Sequence, residues 1–187
     1  MDRYLSKREA FLETAAPSID SARRLALMTD EALCALAQDS SHLISHKTRW
    51  VLIALGGYGS GALLPASDLD LLIVGDAPPE SFKPFVEALL YPLWDAGLKV
   101  GHQVRDKRDQ ARAVREDLTT LTATLTGRVL AGDETLGLEV LAACAKEAGK
   151  RSKAVLAQLR DRPRPGSPYL LEPDLKDGAG GRRDFDE

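Results

Sequence analysis

The 187 residues carry 25 Lys and Arg against 28 Asp and Glu, a formal net charge of −3, with 44% hydrophobic, 28% charged and 5% aromatic residues. That length suits one domain, or one domain with a helical appendage, and it can bury a core without a disulfide or metal staple. The acidic balance gives no global reason to expect nucleic-acid binding, no apolar run is long enough to cross a bilayer, and the charged segment from Met1 to Glu9 lacks a signal-peptide stretch, so a cytoplasmic location is expected.

The first ~45 residues read as helical, since Leu33, Leu36 and Ala37 recur at spacings of three and four after a Thr29-Asp30-Glu31 start signal. Pro17 and Ser18 separate a short first helix from the second. Cys34 and Cys144 sit in apolar runs without neighbours at ligand spacing and read as small core residues. His42 and His46, four apart on the predicted helix, read as part of a solvated face. The composition then shifts to the apolar run Trp50 to Leu55, stopped by Gly56-Gly57, which predicts a strand buried on both faces.

A glycine-rich connection from Gly56 to Gly61 leads through Ala62 to Ser67 into a second strand, Asp68 to Val74, ended by Gly75-Asp76 and Pro78-Pro79. From Glu80 to Ala96, Phe82, Phe85, Val86, Leu89, Leu90 and Leu93 mark one face of a helix, with Pro84 near its start where proline is tolerated. Leu98 to Arg105 reads as a third strand. Lys107 to Ala131 and Glu134 to Leu159 read as helices broken at Gly132-Asp133, and the basic residues from Lys150 to Arg164 as a solvated helix face. The Pro-, Gly- and Arg-rich end reads as a linker. This order predicts an α/β (α+β) protein with a small mixed sheet flanked by helices. The expected divisions are an N-terminal helical segment (1–47), a core (48–132), and a helical extension and linker (133–187).

Two features carry chemistry. Successive strand residues face opposite ways, so Asp68 and Asp70 project from one face about 7 Å apart. Adjacent carboxylates repel, and a hard divalent cation such as magnesium, or manganese, relieves that cost. The alternative, Asp68 capping a turn and Asp70 on an open edge, is disfavoured by the interior-like run Leu71 to Val74. Upstream, four glycines in six positions allow backbone amides to approach phosphate oxygens. No Gly-Lys-Ser/Thr follows, so this is no Walker loop, and the spacing does not match the dinucleotide fingerprint.

A buried strand ending in Gly-Gly, a turn with Ser60, and a second strand opening Ser-Asp-x-Asp-Leu together resemble the signature of the DNA polymerase beta nucleotidyltransferase superfamily. Within it, the wording is most similar to the bacterial enzymes that uridylylate, and de-uridylylate, the PII-type nitrogen signal protein. The resemblance runs over Ala54 to Leu72, Leu93 to Leu98, Val100 to Arg105, Leu130 to Asp133 and Glu172 to Asp184. It implies a polymerase-beta-like nucleotidyltransferase fold and a cytoplasmic enzyme of nitrogen regulation. Asp68 and Asp70 would be its catalytic magnesium ligands, and Gly56, Gly57, Ser60 and Ser67 its nucleotide contacts. His102, Arg105 and Asp106 are further candidates on the bordering strand, and Lys176 a candidate phosphate partner.

The implied reaction is transfer of UMP from UTP to a tyrosine of the PII-type protein with release of pyrophosphate, with no membrane or nucleic-acid partner. Adenylyl transfer to a protein or small molecule, or a non-catalytic nucleotide sensor, are the competing readings. The chain departs from the family by carrying Ser60 where Arg is usual and Ala62 where Glu is usual. The superfamily's third acid, expected on the next strand, has His102 near its place and Asp106 at the strand's end, which leaves that ligand open. With three histidines in all, His42, His46 and His102, the chain supplies no His-Asp phosphohydrolase centre, so removal of UMP is not expected from it. Because it ends inside a family block, a piece of a longer multidomain enzyme is expected.

Overall fold

The computed structural model describes residues 1–161, so the block from Glu172 to Asp184, and Lys176 with it, lies outside the described residues. The chain divides into two units, Met1–Ala145 and a second that begins at Lys146. In the first, α1 (Asp2–Thr14) and α2 (Ile19–Ser40) precede β1 (Trp50–Ala54), a single helical turn α3 (Gly56–Gly59) and β2 (Leu69–Gly75). Then come α4 (Lys83–Asp95), β3 (Val100–Asp106), α5 (Lys107–Glu116), α6 (Leu118–Leu125), β4 (Arg128–Gly132) and the start of α7 (Glu134–Lys150). The described part of the second unit holds the end of α7 and α8 (Ser152–Arg160).

The sheet has the order β3-β2-β1-β4. β1 pairs antiparallel with β2 and β4, and β2 pairs parallel with β3. A parallel pair needs a crossover, and α4 supplies it. The result is the mixed α/β sheet with flanking helices that the sequence predicts. Each central strand is apolar on both sides because each face is covered. Leu52, Ala54, Leu69, Leu71 and Ile73 pack with Leu25, Leu33 and Ala37 of α2 and Phe85, Leu89 and Leu90 of α4. Val51, Ile53, Leu72 and Val74 pack with Leu136 and Val140 of α7. No helix among the described residues is long and apolar enough to cross a membrane.

Three elements correct the sequence reading. The helix expected over Lys107 to Ala131 is two short helices and a strand, and β4 pairs with β1 from Val51 to Ala54. The second helix begins at Ile19, where Ser18 accepts a cap bond from the Ser21 amide, so Thr29-Asp30-Glu31 is helix interior and not a start. Thr29 is buried, donates to the Leu25 carbonyl and lies 3.0 Å from the Tyr4 hydroxyl. The helix ends before His42, which sits in a 3-10 turn with Nδ1 2.8 Å from the Asp39 carbonyl, while His46 lies in a turn beyond it. These two histidines therefore share no helix face. Cys144 is a buried core thiol, which burial pushes up to about 11, whereas Cys34 is only half-buried and donates to the Leu130 carbonyl.

The β1 entry and the α7 start are tied by charge. Arg49 Nε donates to Asp133 Oδ2 at 2.7 Å, and Asp133 Oδ1 caps α7 by accepting from the Leu136 amide at 2.9 Å. The Arg49 bond, then the Leu136 amide, lower the Asp133 carboxyl to about 2. A depressed carboxyl stabilises the fold fully above its ordinary value of 3.8 and loses that contribution as pH falls through about 2. Arg49→Gln is therefore expected to be less stable than the parent chain at pH 7, with the difference narrowing as pH approaches 2. Urea unfolding across that range checks it, and a gap that stays constant with pH would exclude the pair as its source.

Candidate active site

The glycine-rich segment follows β1 as one tight turn. Gly59 N–H donates to the Leu55 carbonyl at 2.8 Å and Ser60 N–H to Gly56 at 3.1 Å, so the opening amides of the turn precede its first internal bond. The strand that follows is pinned to the turn by the Leu55 amide, which donates to the Asp70 carbonyl at 2.9 Å. Gly59 packs where no side chain fits, since a Cβ there would lie 2.5 Å from the Thr126 carbonyl oxygen and 2.8 Å from that of Ala54. Backbone oxygens held in a sheet and a helix end cannot swing aside. Gly59→Ala is expected to cost about 2–3 kcal/mol, lowering the melting temperature by roughly 5–10 °C for a chain of this size. A melting temperature within a degree of the parent's would contradict this packing.

Asp70 lies two residues from Asp68 at the start of β2, and both are exposed. A methyl on Gly56 would stand 3.6 Å from Asp70 Oδ2, and one on Gly101 would fall 2.8 Å from Oδ1. The carboxylate thus sits between the glycine turn and the neighbouring strand. Asp68 immediately precedes β2, and the half-buried Ser67 donates its amide to the Leu64 carbonyl. Ser60 is exposed and donates its hydroxyl to the Gly57 carbonyl at 2.7 Å, a bond that closes the turn. Gly56, Gly57, Ser60, Asp68 and Asp70 all gather at one end of the sheet.

The three candidates on β3 do not join them. Register pairs Asp70 with Gly101 and Leu71 with His102, so His102 points to the opposite face, where its ring lies 5.9 Å from that of Trp94. Arg105 pairs with Val74, about 13 Å along the strand from Gly101, and donates to Gln110 Oε1 at 2.7 Å. Burial lowers its pKa, against the pull of Asp117 and Asp109. Asp106 caps α5 by accepting from the Asp109 amide at 2.8 Å. Among the described residues no group of three His, Cys, Asp or Glu is placed to hold a metal.

Sequence reasoning missed the support behind the turn. Tyr58 is buried, and its hydroxyl donates to Asp30 Oδ1 at 2.6 Å. Arg128 of β4 grips the same carboxylate with two bonds, at 2.6 and 3.1 Å, and reaches the Tyr58 carbonyl at 3.4 Å. Burial and the Asp30 bond push the Tyr58 phenol well above its ordinary range. For Arg128, burial is the largest influence and works against the charge, but the bond to Asp30, its charge and Tyr58 together outweigh it, so its pKa is raised. Asp30 is 28 residues from Tyr58 and 98 from Arg128, and no local pattern links them.

No protein-family model matches the chain. The bifunctional uridylyltransferase/uridylyl-removing enzyme of Phenylobacterium zucineum (strain HLK1) is 39% identical over 188 residues, covering 93% of this chain and 20% of that protein. The protein of the same name from Bradyrhizobium sp. (strain ORS 278) is 40% identical over 178 residues, covering 88% and 19%. That from Rhodopseudomonas palustris (strain ATCC BAA-98 / CGA009) is 43% identical over 149 residues, covering 75% and 16%. Among solved structures, a crystal structure of a toxin-antitoxin with AMP-PNP aligns with a TM-score of 0.41 at 14% identity, over 70% of this chain and 98% of the other. The chain spans about a fifth of the length of the curated relatives it matches, and over most of its own length it is related to the bifunctional uridylyltransferase/uridylyl-removing enzymes.

Proposed function

We propose that this chain is a nucleotidyltransferase domain that transfers UMP from UTP to a tyrosine hydroxyl of a PII-type signal protein and releases pyrophosphate. The observation that carries the reading is the placement of the Asp70 carboxylate between Gly56 of the turn and Gly101 of β3. A phosphate held by the turn would lie beside the carboxylate pair. The names of the relatives supply the choice of uridylyl transfer.

Two exposed carboxylates form an all-oxygen donor set, which suits a hard divalent ion. Magnesium is commonly held by one or two protein carboxylates, with water and substrate phosphates completing its shell, so Asp68 and Asp70 fit it without a third acid. Bound there, it would supply Lewis-acid activation of the acceptor hydroxyl and charge neutralisation at the leaving pyrophosphate. The protein's own part is positioning: the opening amides of the turn orient the phosphates and the rigid β1–β2 pair fixes the distance to the carboxylates. Ser60 contributes by closing the turn through its bond to Gly57, where an arginine would have supplied charge.

The test is magnesium-dependent pyrophosphate release in the presence of a PII-type acceptor, with each of the four nucleoside triphosphates supplied in turn. Release confined to UTP plus acceptor is expected. Release with ATP instead would move the reading to adenylyl transfer, and magnesium-dependent binding without release would make the chain a sensor module.

A further inference from the structure

The structure assigns Asp30 and Arg128 a role as positioning residues that clamp the glycine turn through Tyr58 and so set its capacity to hold a nucleotide's phosphates, an inference that rests on the nucleotide-binding reading above. The clamp grips both ends of α3. At its start, Thr126 Oγ1 donates to the Gly56 carbonyl at 3.0 Å. Further along, Arg128 reaches the Tyr58 carbonyl at 3.4 Å and its guanidinium lies 5.7 Å from the centre of the Tyr58 ring. The Tyr58 hydroxyl completes the attachment at Asp30. Beneath these contacts Gly59 sits against the Thr126 and Ala54 carbonyls.

A four-residue turn with three glycines has little intrinsic rigidity, because glycine loses more conformational freedom on folding than any other residue. Amides that must converge on phosphate oxygens need that freedom removed beforehand, and here its removal comes from α2 and β4, outside the turn. The clamp also carries a cost, since Arg128 Nε is buried with no hydrogen-bond partner among the described residues. A buried unpaired donor is expensive and persists only where the fork's other bonds offset it. A neutral residue at 128 would avoid that cost but would leave the Asp30 carboxylate without its cation.

Two variants test this. Tyr58→Phe keeps the ring and removes the hydroxyl, and Arg128→Lys keeps the charge and removes the fork. Amide hydrogen exchange at Gly59 and Ser60, whose amides bond to Leu55 and Gly56, reads the clamp without any nucleotide. Magnesium-UTP titration and steady-state transfer read its consequence. In folded variants we expect faster exchange at these two amides with β1 and β2 still protected. We also expect a Kd and KM for UTP raised by about three- to tenfold, the scale of one ordinary hydrogen bond, with kcat at saturating UTP changed less than twofold. Unchanged exchange in both variants would overturn the clamp. Faster exchange with an unchanged Kd would overturn its role in nucleotide binding. A parent chain that binds no magnesium nucleotide would instead remove the functional reading, and this inference with it.

Discussion

Replacing Asp70 by Asn is expected to lower magnesium-dependent nucleotidyl transfer about a thousandfold or more, equivalent to roughly 4 kcal/mol of lost transition-state stabilisation. The substitution keeps the side chain's shape, so it still fits between Gly56 and Gly101, and the Leu55 amide still bonds to the carbonyl of residue 70. What it removes is a charge and one oxygen ligand. Isothermal titration with magnesium or manganese in the presence of UTP should show weakened metal binding, and circular dichroism should show the parent's melting transition. Full activity in a folded variant would take Asp70 out of the reaction and overturn the assignment of the site.

Gly101→Ala is expected to have the second largest effect, a loss of activity of about a hundredfold, the scale on which catalysis falls when a reacting group is misplaced by about an ångström. The new methyl would fall 2.8 Å from Asp70 Oδ1, closer than van der Waals contact allows. Unlike the backbone oxygens around Gly59, this obstacle is the end of a rotatable side chain. It can turn aside where main chain cannot, and alanine packs at least as well as glycine within a strand. The carboxylate then leaves its place beside the turn. A kcat reduced with a nearly unchanged melting temperature is the expected pattern. A large loss of stability would indicate that the side chain cannot move, and parent-like kcat would indicate that its position is not critical.

The contrast between Gly59 and Gly101 shows what could be read from residues alone. Both are glycines beside the predicted site, and composition treats them alike. One is fenced by main chain and the other by a carboxylate, so one substitution is expected to read out as stability and the other as rate. The strand register makes a similar point for His102. Its place on the bordering strand, near where the superfamily's third acid is expected, made it a candidate, yet a parallel pairing of Leu71 with His102 turns it to the face opposite Asp70. A shift of one residue in pairing would have reversed that result, because side chains alternate with period two.

Periodicity and punctuation determined β1, β2 and α4, since each is an apolar or amphipathic run closed by glycine, and such runs bury the same faces in almost any arrangement. The Gly-Gly turn and the Asp-x-Asp pair were also legible, because their chemistry depends on neighbours a few residues away. β4 was not, since five residues at an edge, four half-buried and Gly132 exposed, make one ladder only and carry no pattern distinct from the helices around them. The Asp30–Tyr58–Arg128 clamp was equally invisible. Its members come from a helix, a turn and that unrecognised strand, and contact order on this scale is written in tertiary packing alone. The sequence by itself thus specified which atoms could do the chemistry. The tertiary structure decided which of them meet, because the face a strand residue points to and the partner a buried charge finds depend on segments far away along the chain.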